Sequence, residues 1–207
     1  RVLDGAVALF CAVGGVEPQS ETVWKQADRY RVPRIAFVNK MDRVGADFPR
    51  VLEMMRQRLH AHPVAVQIPL GKEGSFSGVI DLIRMIALIY DENSLGVKWI
   101  ETPIPPEYVE EAEIYREHLL ESLSDLDEEI MERYVQQKEI PEEMIVRALR
   151  NATISLERIP VLCGAAFKNK GIQPLLDAVV HYLPSPLEVP PILGVTPGGK
   201  TIQCPTG

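Results

Sequence analysis

The sequence has few cysteines, and no apolar segment is long enough to span a bilayer. Cys11, Cys163 and Cys204 lie far apart and form no C-x-x-C pair, so neither a disulfide framework nor a zinc site is indicated. Cys11 and Cys163 lie in apolar strand-like segments, where buried thiols in a reducing compartment are expected. The histidines show no metal-ligand spacing. Without a signal peptide or a membrane span, we expect a cytoplasmic protein or one of an organellar matrix, with no membrane partner.

Excess positive charge is also absent. The chain has 207 residues, 46% of them apolar and 25% charged, which is ordinary for one large globular domain or two small ones. A net charge of −7 argues against general affinity for nucleic acids or membranes. The negative charge is concentrated in residues 105–143, which contain 14 acidic and 3 basic residues. This acidic segment is either a solvated face or a docking surface for a basic partner.

The first third of the sequence predicts a β-α-β unit followed by a second helix. Residues 5–13 form a continuous apolar strand, and a helix capped by Ser20 runs to the break at Pro33. Residues 34–38 form a second strand, buried on both faces, and residues 47–59 an amphipathic helix. The α/β pattern returns with a strand over residues 159–163 and a helix over residues 172–183, whose apolar side is expected to face inward. That side consists of Leu175, Leu176, Val179 and Val180.

The middle of the sequence has a different pattern, which predicts an inserted α+β subdomain. Four short strand-like runs suggest an antiparallel meander, with the turn at residues 71–74 as its clearest connection. These runs are residues 64–68, 78–82, 86–90 and 97–100. Three helices follow, the second capped by Ser124 and the third starting at Pro141. We therefore divide the chain into a first core segment (1–62), an inserted subdomain (63–157), a second core segment (158–185) and a Pro- and Gly-rich linker (186–207).

The strand over residues 34–38 ends in Asn39-Lys40-Met41-Asp42, whose side chains suit guanine recognition. Open α/β sheets bind ligands at the carboxyl ends of their strands. An ionised Asp42 can accept hydrogen bonds from the N1–H and the 2-amino group of guanine, whereas adenine offers an acceptor there. Asn39 would hold the loop and reach N7, and the stem of Lys40 would pack on the ring. The alternative is a polar turn without a ligand.

A second loop follows the strand over residues 159–163. Residues 164–168, Gly-Ala-Ala-Phe-Lys, form a small-residue turn whose backbone N–H groups could donate to the O6 of guanine. Phe167 could flank the base. By itself this motif is more typical of a structural turn, and its position after the next expected strand is what favours a ligand-binding role.

These motifs resemble the GTP-binding domain of the bacterial-type elongation factor G family, the translational GTPases that act as ribosomal translocases. The resemblance covers nearly the whole chain. It is carried by Asn-Lys-Met-Asp-Arg (39–43), Gly-Ala-Asp-Phe (45–48), Gly-Ala-Ala-Phe-Lys-Asn-Lys-Gly (164–171), Tyr-Leu-Pro-Ser-Pro (182–186) and Arg-Val-Leu-Asp-Gly-Ala-Val (1–7). It implies that Asn39, Lys40 and Asp42 form the base-specificity loop. It also implies that Ala165, Ala166 and Phe167 form the second base loop, although many family members have serine, which braces the aspartate, at the position of Ala165.

The resemblance implies a fold and also an incomplete site. The expected fold is α/β: a partial P-loop-type GTPase domain, three-layered and mostly parallel, without its N-terminal strands and with an inserted α+β subdomain. No G-x-x-x-x-G-K-S/T sequence occurs in the chain. We therefore expect a piece of a longer protein that carries only the base half of a GTP or GDP site, with Mg²⁺ bound only when the missing N-terminal segment is present. Residues 5–13 should then expose an apolar edge that favours self-association.

The expected parent protein hydrolyses GTP and promotes translocation of tRNA and mRNA on the ribosome, while this chain alone is expected to be inactive. The resemblance further implies that the acidic helices of the insertion contact ribosomal stalk proteins. Two alternatives remain open. A ribosome-protection protein or a GTPase release factor would share the base loops, and a nucleotide-free interaction module would use the acidic helices.

Overall fold

The structure is a computed structural model that describes residues 2–91, 94, 96–185, 188, 192–195 and 201–204. Its elements in chain order are β1 (Ala6–Cys11), α1 (Pro18–Arg29), β2 (Arg34–Asn39), α2 (Phe48–Leu59), β3 (Pro63–Ala65), β4 (Gln67–Leu70), β5 (Gly78–Asp81), β6 (Ile86–Tyr90), β7 (Trp99–Thr102), α3 (Pro106–Ser124), α4 (Glu128–Val135), α5 (Glu142–Ile154), β8 (Ile159–Cys163), α6 (Ile172–Tyr182), β9 (Ile192–Val195) and β10 (Thr201–Cys204). Single 3-10 turns occur at Glu73–Ser75 and Ala166–Lys168.

A parallel sheet of four strands in the order β1-β2-β8-β3 forms the first of two main sheets. The central strands β2 and β8 are buried almost throughout, as their continuous apolar sequence predicts. The second main sheet is antiparallel, in the order β4-β5-β6-β7. The predicted mixed α/β fold, with a parallel sheet and a separate antiparallel sheet, is confirmed.

Helix α2 covers the parallel sheet with the side that its sequence periodicity predicts. Asp47 caps the helix by accepting a hydrogen bond from the N–H of Arg50 (2.9 Å), and a proline follows in the first turn. The buried side chains of this helix are Phe48, Val51, Leu52, Met55 and Leu59. Helix α1 begins three residues earlier than predicted, because Pro18 occupies its first turn. Its N-cap is Glu17, so Ser20 is not the cap.

The prediction that residues 64–68 form one strand of a meander is wrong. Its first half, β3, pairs in parallel with β8, whereas β4 pairs in antiparallel with β5. The backbone N–H of Val66, between the two strands, donates to the carbonyl of Val161 (3.0 Å). The subdomain boundary remains a prediction, and this pairing favours a position after Ala65 rather than after residue 62.

Helices α3 and α5 each bury several apolar side chains, α4 buries only Ile130, and thirteen of the fourteen acidic residues in 105–143 are exposed. The predicted cap of α4 is wrong. Ser124 is buried at the end of α3, where its hydroxyl donates to the carbonyl of Glu121 (2.7 Å). The cap is Asp127, whose carboxylate accepts from the N–H groups of Glu129 (3.0 Å) and Ile130 (3.2 Å).

Replacing Asp127 with alanine should lower the free energy of unfolding by about 1 kcal/mol, because two backbone N–H groups lose their acceptor. Ser124→Ala should change it by less than about 0.5 kcal/mol, since the better helix propensity of alanine offsets a lost local bond. Urea unfolding of both variants, followed by circular dichroism, measures the difference. A larger loss for Ser124→Ala than for Asp127→Ala would contradict the assignment of the cap.

Two exposed apolar surfaces bear on the sequence-based expectations: the one on α6 contradicts them, and the one on β1 agrees with them. On α6, Leu176 and Val180 are 60% and 74% exposed, so the prediction that they face inward is wrong; Ala178 and Tyr182 are buried instead. Among the described residues, β1 pairs only with β2 and exposes Val7 and Leu9, which agrees with the expected apolar edge. Whether this edge causes self-association stays a prediction.

The predicted linker at 186–207 lies largely outside the described residues. Its described residues include β9 and β10, which pair in antiparallel. Regular structure therefore occurs within this segment.

Candidate functional site

The parallel register of β2 and β8 brings the two predicted base loops together. Val38 pairs with Cys163, so both strands end at the same edge of the sheet. The backbone joins the loops directly, since the N–H of Gly164 donates to the carbonyl of Val38 (3.0 Å) and the N–H of Met41 donates to the carbonyl of Gly164 (3.1 Å). A Cβ at Gly164 would lie 2.3 Å from the carbonyl oxygen of Lys170, so this crossing requires glycine.

Asn39 is the side chain that ties the loops to each other. Its Oδ1 accepts hydrogen bonds from the backbone N–H of Lys40 (2.7 Å) and from that of Ala166 (2.9 Å), 127 residues away. The amide oxygen is thus committed to the protein, which orients the amide NH₂ away from these bonds. The predicted role of Asn39 in holding the loop agrees with this geometry, and its contact with a base stays a prediction.

Asp42 lies near the second loop and is paired with a cation. Its side chain is 13% exposed, and its Oδ2 lies 3.3 Å from Nζ of Lys168, whose side chain is 48% exposed. Because Ala165 stands where many family members have serine, the resemblance implies that Asp42 is less firmly held. The ion pair with Lys168 supports the Asp42 carboxylate instead. The ionised carboxylate retains free acceptor sites, because one ammonium group cannot occupy all of its lone pairs.

The other predicted residues differ widely in exposure. Ala165 is buried and Ala166 is half-buried, whereas Lys40 is exposed and has a left-handed backbone conformation (φ 68°). The ring of Phe167 is 97% exposed. An exposed ring and an exposed aliphatic stem near one carboxylate are compatible with stacking on a planar base.

The ionisable side chains behind the two loops, Cys163 and Tyr90, are buried and stay protonated. Cys163 ends β8 in full burial, which raises the pKa of its thiol and keeps it protonated. Burial likewise raises the pKa of Tyr90 to about 12. Cys11 is only half-buried, so the expectation of burial holds for Cys163 and not for Cys11. The site offers polar recognition groups rather than a nucleophile.

The structure adds two residues that sequence reasoning missed. Glu73 contacts the Asn-Lys-Met-Asp loop by accepting a hydrogen bond from the N–H of Gly45 (2.9 Å). Lys170 is buried beside the second loop, with Nζ donating to the carbonyl of Phe76 (3.0 Å). Both contacts join the antiparallel sheet to the base loops. Their partners lie 28 and 94 residues apart in sequence, so no local pattern could reveal them.

Across the described residues, no three His, Cys, Asp or Glu side chains are grouped so that they could hold a metal ion. The described residues by themselves therefore group no ligand set for Mg²⁺. None of the helices in the described ranges has the length and apolar character needed to cross a membrane.

Fold, paired loops and sequence together define the class of protein. Residues 1–185 match the family described as the elongation factor Tu GTP binding domain, and the chain belongs to that family. The chain is 58% identical over 203 residues to elongation factor G 2 of Desulfotalea psychrophila (strain LSv54 / DSM 12343), covering 98% of this chain and 29% of that protein. It thus spans less than a third of the length of this curated relative.

The fold also matches a crystal structure of a protein from Thermus thermophilus. The TM-score is 0.79 at 30% sequence identity, over 93% of this chain and 29% of that one. The resemblance to elongation factor G drawn from the motifs is confirmed, and the chain corresponds to a fragment of a translational GTPase domain.

Proposed function

We propose that this chain is the guanine-recognition portion of an elongation-factor-G-type GTPase. The observation that carries the proposal is the Oδ1 of Asn39, which binds the N–H groups of both base loops and holds them at one edge of the sheet. Asp42, with its 13% exposed carboxylate, would accept from N1–H and the 2-amino group of guanine. The backbone N–H of Phe167 would donate to O6, because the N–H groups of Ala165 and Ala166 already donate to Lys170 and Asn39. Lys40 and Phe167 would lie at the ring faces.

The parent protein would hydrolyse GTP on the ribosome, in the cytoplasm, to promote translocation of tRNA and mRNA. The 58% identity to an elongation factor G 2 supports this over a ribosome-protection protein or a release factor. Without a G-x-x-x-x-G-K-S/T sequence, this chain would bind nucleotide weakly and hydrolyse none of it.

The experiment is a calorimetric titration of GDP and ADP into two proteins. The first is this chain, and the second is the chain preceded by an added segment that carries a G-x-x-x-x-G-K-S/T phosphate loop. We expect GDP to bind the second protein much more tightly than the first, with ADP silent in both. If the second protein ignores GDP, the nucleotide proposal is wrong.

Replacing Ala165 with serine should strengthen GDP binding about fivefold, since a hydroxyl could brace Asp42 with a bond of about 1 kcal/mol. Ala165→Cys is the matched control, because a thiol of similar size is a much weaker hydrogen-bond donor. Titration of the second protein described above measures both. Equal effects of the two substitutions would show that side-chain size, and not the hydroxyl, matters at this buried position.

A second function rests on the acidic residues of α3, α4 and α5, almost all of which are exposed. We propose that this face docks a basic partner, such as a ribosomal stalk protein. A module that only binds proteins, without nucleotide, would use the same face. Binding of ribosomal stalk proteins that weakens steeply with added salt would support the docking role. Binding that persists in a protein unable to bind GDP would favour the nucleotide-free module.

A further inference from the structure

The turn between β4 and β5, residues 71–76, lies against the Asn-Lys-Met-Asp loop. The backbone N–H of Glu73 donates to the carbonyl of Met41 (3.0 Å), and Oε1 of Glu73 accepts from the N–H of Gly45 (2.9 Å). One residue of this turn therefore binds the chain at Met41 and at Gly45. Asp42 lies between these two points in the sequence.

The same turn also contacts the second base loop. The carbonyl of Phe76 accepts from Nζ of Lys170, a side chain that is 2% exposed. Lys170 in turn pairs with Ala165 through the backbone, where the N–H of Ala165 donates to the carbonyl of Lys170 (2.9 Å). The turn itself is closed by the N–H of Phe76, which donates to the carbonyl of Glu73 (3.1 Å). Both loops are thus attached to a single short turn of the other sheet.

Glu73 makes these contacts in an unfavourable backbone conformation. Its φ is 53°, in the left-handed region where a non-glycine residue costs on the order of 1 kcal/mol. Glycine would remove that cost, but it would also remove the carboxylate that binds Gly45. The glutamate side chain therefore provides the hydrogen bond to Gly45, which glycine at this position could not make.

We propose that Glu73 is a positioning residue for guanine recognition. Its two hydrogen bonds fix the backbone on both sides of Asp42 and so set where the carboxylate meets the base. Through Phe76 and Lys170 the same turn fixes the second loop, which makes the antiparallel sheet a support for the whole base site. This inference rests on the proposed function, because a guanine site must exist for Glu73 to position it.

The test uses the complete 207-residue chain and two substitutions that separate the acceptor from the backbone. Glu73→Gly accepts φ 53° without strain and deletes the acceptor, whereas Glu73→Gln keeps a carbonyl acceptor at the same reach. Glu113→Gln, at an exposed position on α3, is the control for the loss of one negative charge. GMP and AMP are the probes, titrated by NMR, which detects millimolar affinity, and hydrogen exchange at the amide of Gly45 reports the bond directly.

We expect Glu73→Gly to speed exchange at Gly45 at least about tenfold and to weaken GMP binding by about tenfold, the usual effect of losing a hydrogen bond to a charged group. Its melting temperature should fall only slightly, because the relieved backbone strain offsets part of the lost hydrogen bond. Glu73→Gln should stay within about threefold of the unmodified chain in both readouts, since a neutral acceptor is weaker but present. Glu113→Gln should match the unmodified chain.

The outcomes separate the two proposals. If the unmodified chain prefers GMP to AMP and Glu73→Gly binds GMP equally well, the positioning role is overturned and the guanine site stands. If Glu73→Gln loses as much affinity as Glu73→Gly, the role of the acceptor is likewise overturned. If the unmodified chain does not distinguish GMP from AMP, the proposed function fails, and the role of Glu73 fails with it.

Discussion

Asn39→Ala should lower the free energy of unfolding by about 2 kcal/mol and weaken GDP binding at least roughly tenfold. The substitution removes the Oδ1 that accepts from Lys40 N–H and Ala166 N–H, and the half-buried Ala166 N–H is then left without its partner. The backbone hydrogen bonds of Gly164 with Val38 and Met41 would still join the loops, but residue 166 would lose the bond that fixes its position. Urea unfolding gives the stability, and calorimetric titration of GDP into the protein completed with a phosphate-loop segment gives the affinity.

Asn39→Asp separates the structural role of this residue from its role toward the base. A carboxylate still accepts from both N–H groups, so most of the stability should remain. It has no NH₂ to donate to N7 of guanine, so GDP affinity should still fall. If Asn39→Asp binds GDP as well as the unmodified protein, Asn39 only holds the loops. Unchanged stability of Asn39→Ala would show that the bond to Ala166 contributes little.

Asp42→Asn should weaken GDP binding by roughly 10²-fold or more, the largest effect that we expect on specificity. The new amide would direct its NH₂ group at the 2-amino group of guanine, donor against donor. Xanthine has an acceptor oxygen at that position, so xanthosine diphosphate should bind the variant better than GDP does. Parallel titrations of both nucleotides into both proteins measure the reversal.

Lys168→Met is the control for the ion pair that Asp42→Asn also breaks. It removes the ammonium group 3.3 Å from the Asp42 carboxylate and leaves the carboxylate intact. Because Lys168 is half exposed, we expect a stability change of less than about 1 kcal/mol. The preference for GDP over xanthosine diphosphate should survive. If Lys168→Met loses that preference as fully as Asp42→Asn does, the ion pair, rather than direct recognition by Asp42, sets the specificity.

Features with a local cause could be predicted from the sequence. The continuous apolar runs of β2 and β8 predict fully buried strands, and the side chains buried by α2 follow from its helical spacing. The cap at Asp47 and the proline after it define where α2 begins. The position of the base loops follows as well, because parallel neighbouring strands end at the same edge of a sheet.

Features that depend on a distant partner could not be predicted in this way. The run at residues 64–68 has the pattern of one strand, yet β3 pairs with β8 and β4 with β5. Leu176 and Val180 have the periodicity of buried residues but are exposed, because periodicity identifies an apolar side without showing what covers it. Ser124 and Asp127 are both acceptable caps, and only the packing of α3 buries the first and leaves the second free to cap α4.

The sequence by itself determined the fold class, the positions of the two predicted base loops and the family resemblance, since these depend on side-chain pattern and on short contiguous motifs. Only the tertiary structure decided which partners hold the loops in place: Asn39 is bound to Ala166, Lys168 lies beside Asp42, and Glu73 is bound to Gly45. Hydrogen bonds and ion pairs form between atoms that are close in space. Asn39 and Ala166 lie 127 residues apart in the chain, so only the folded chain shows that they meet.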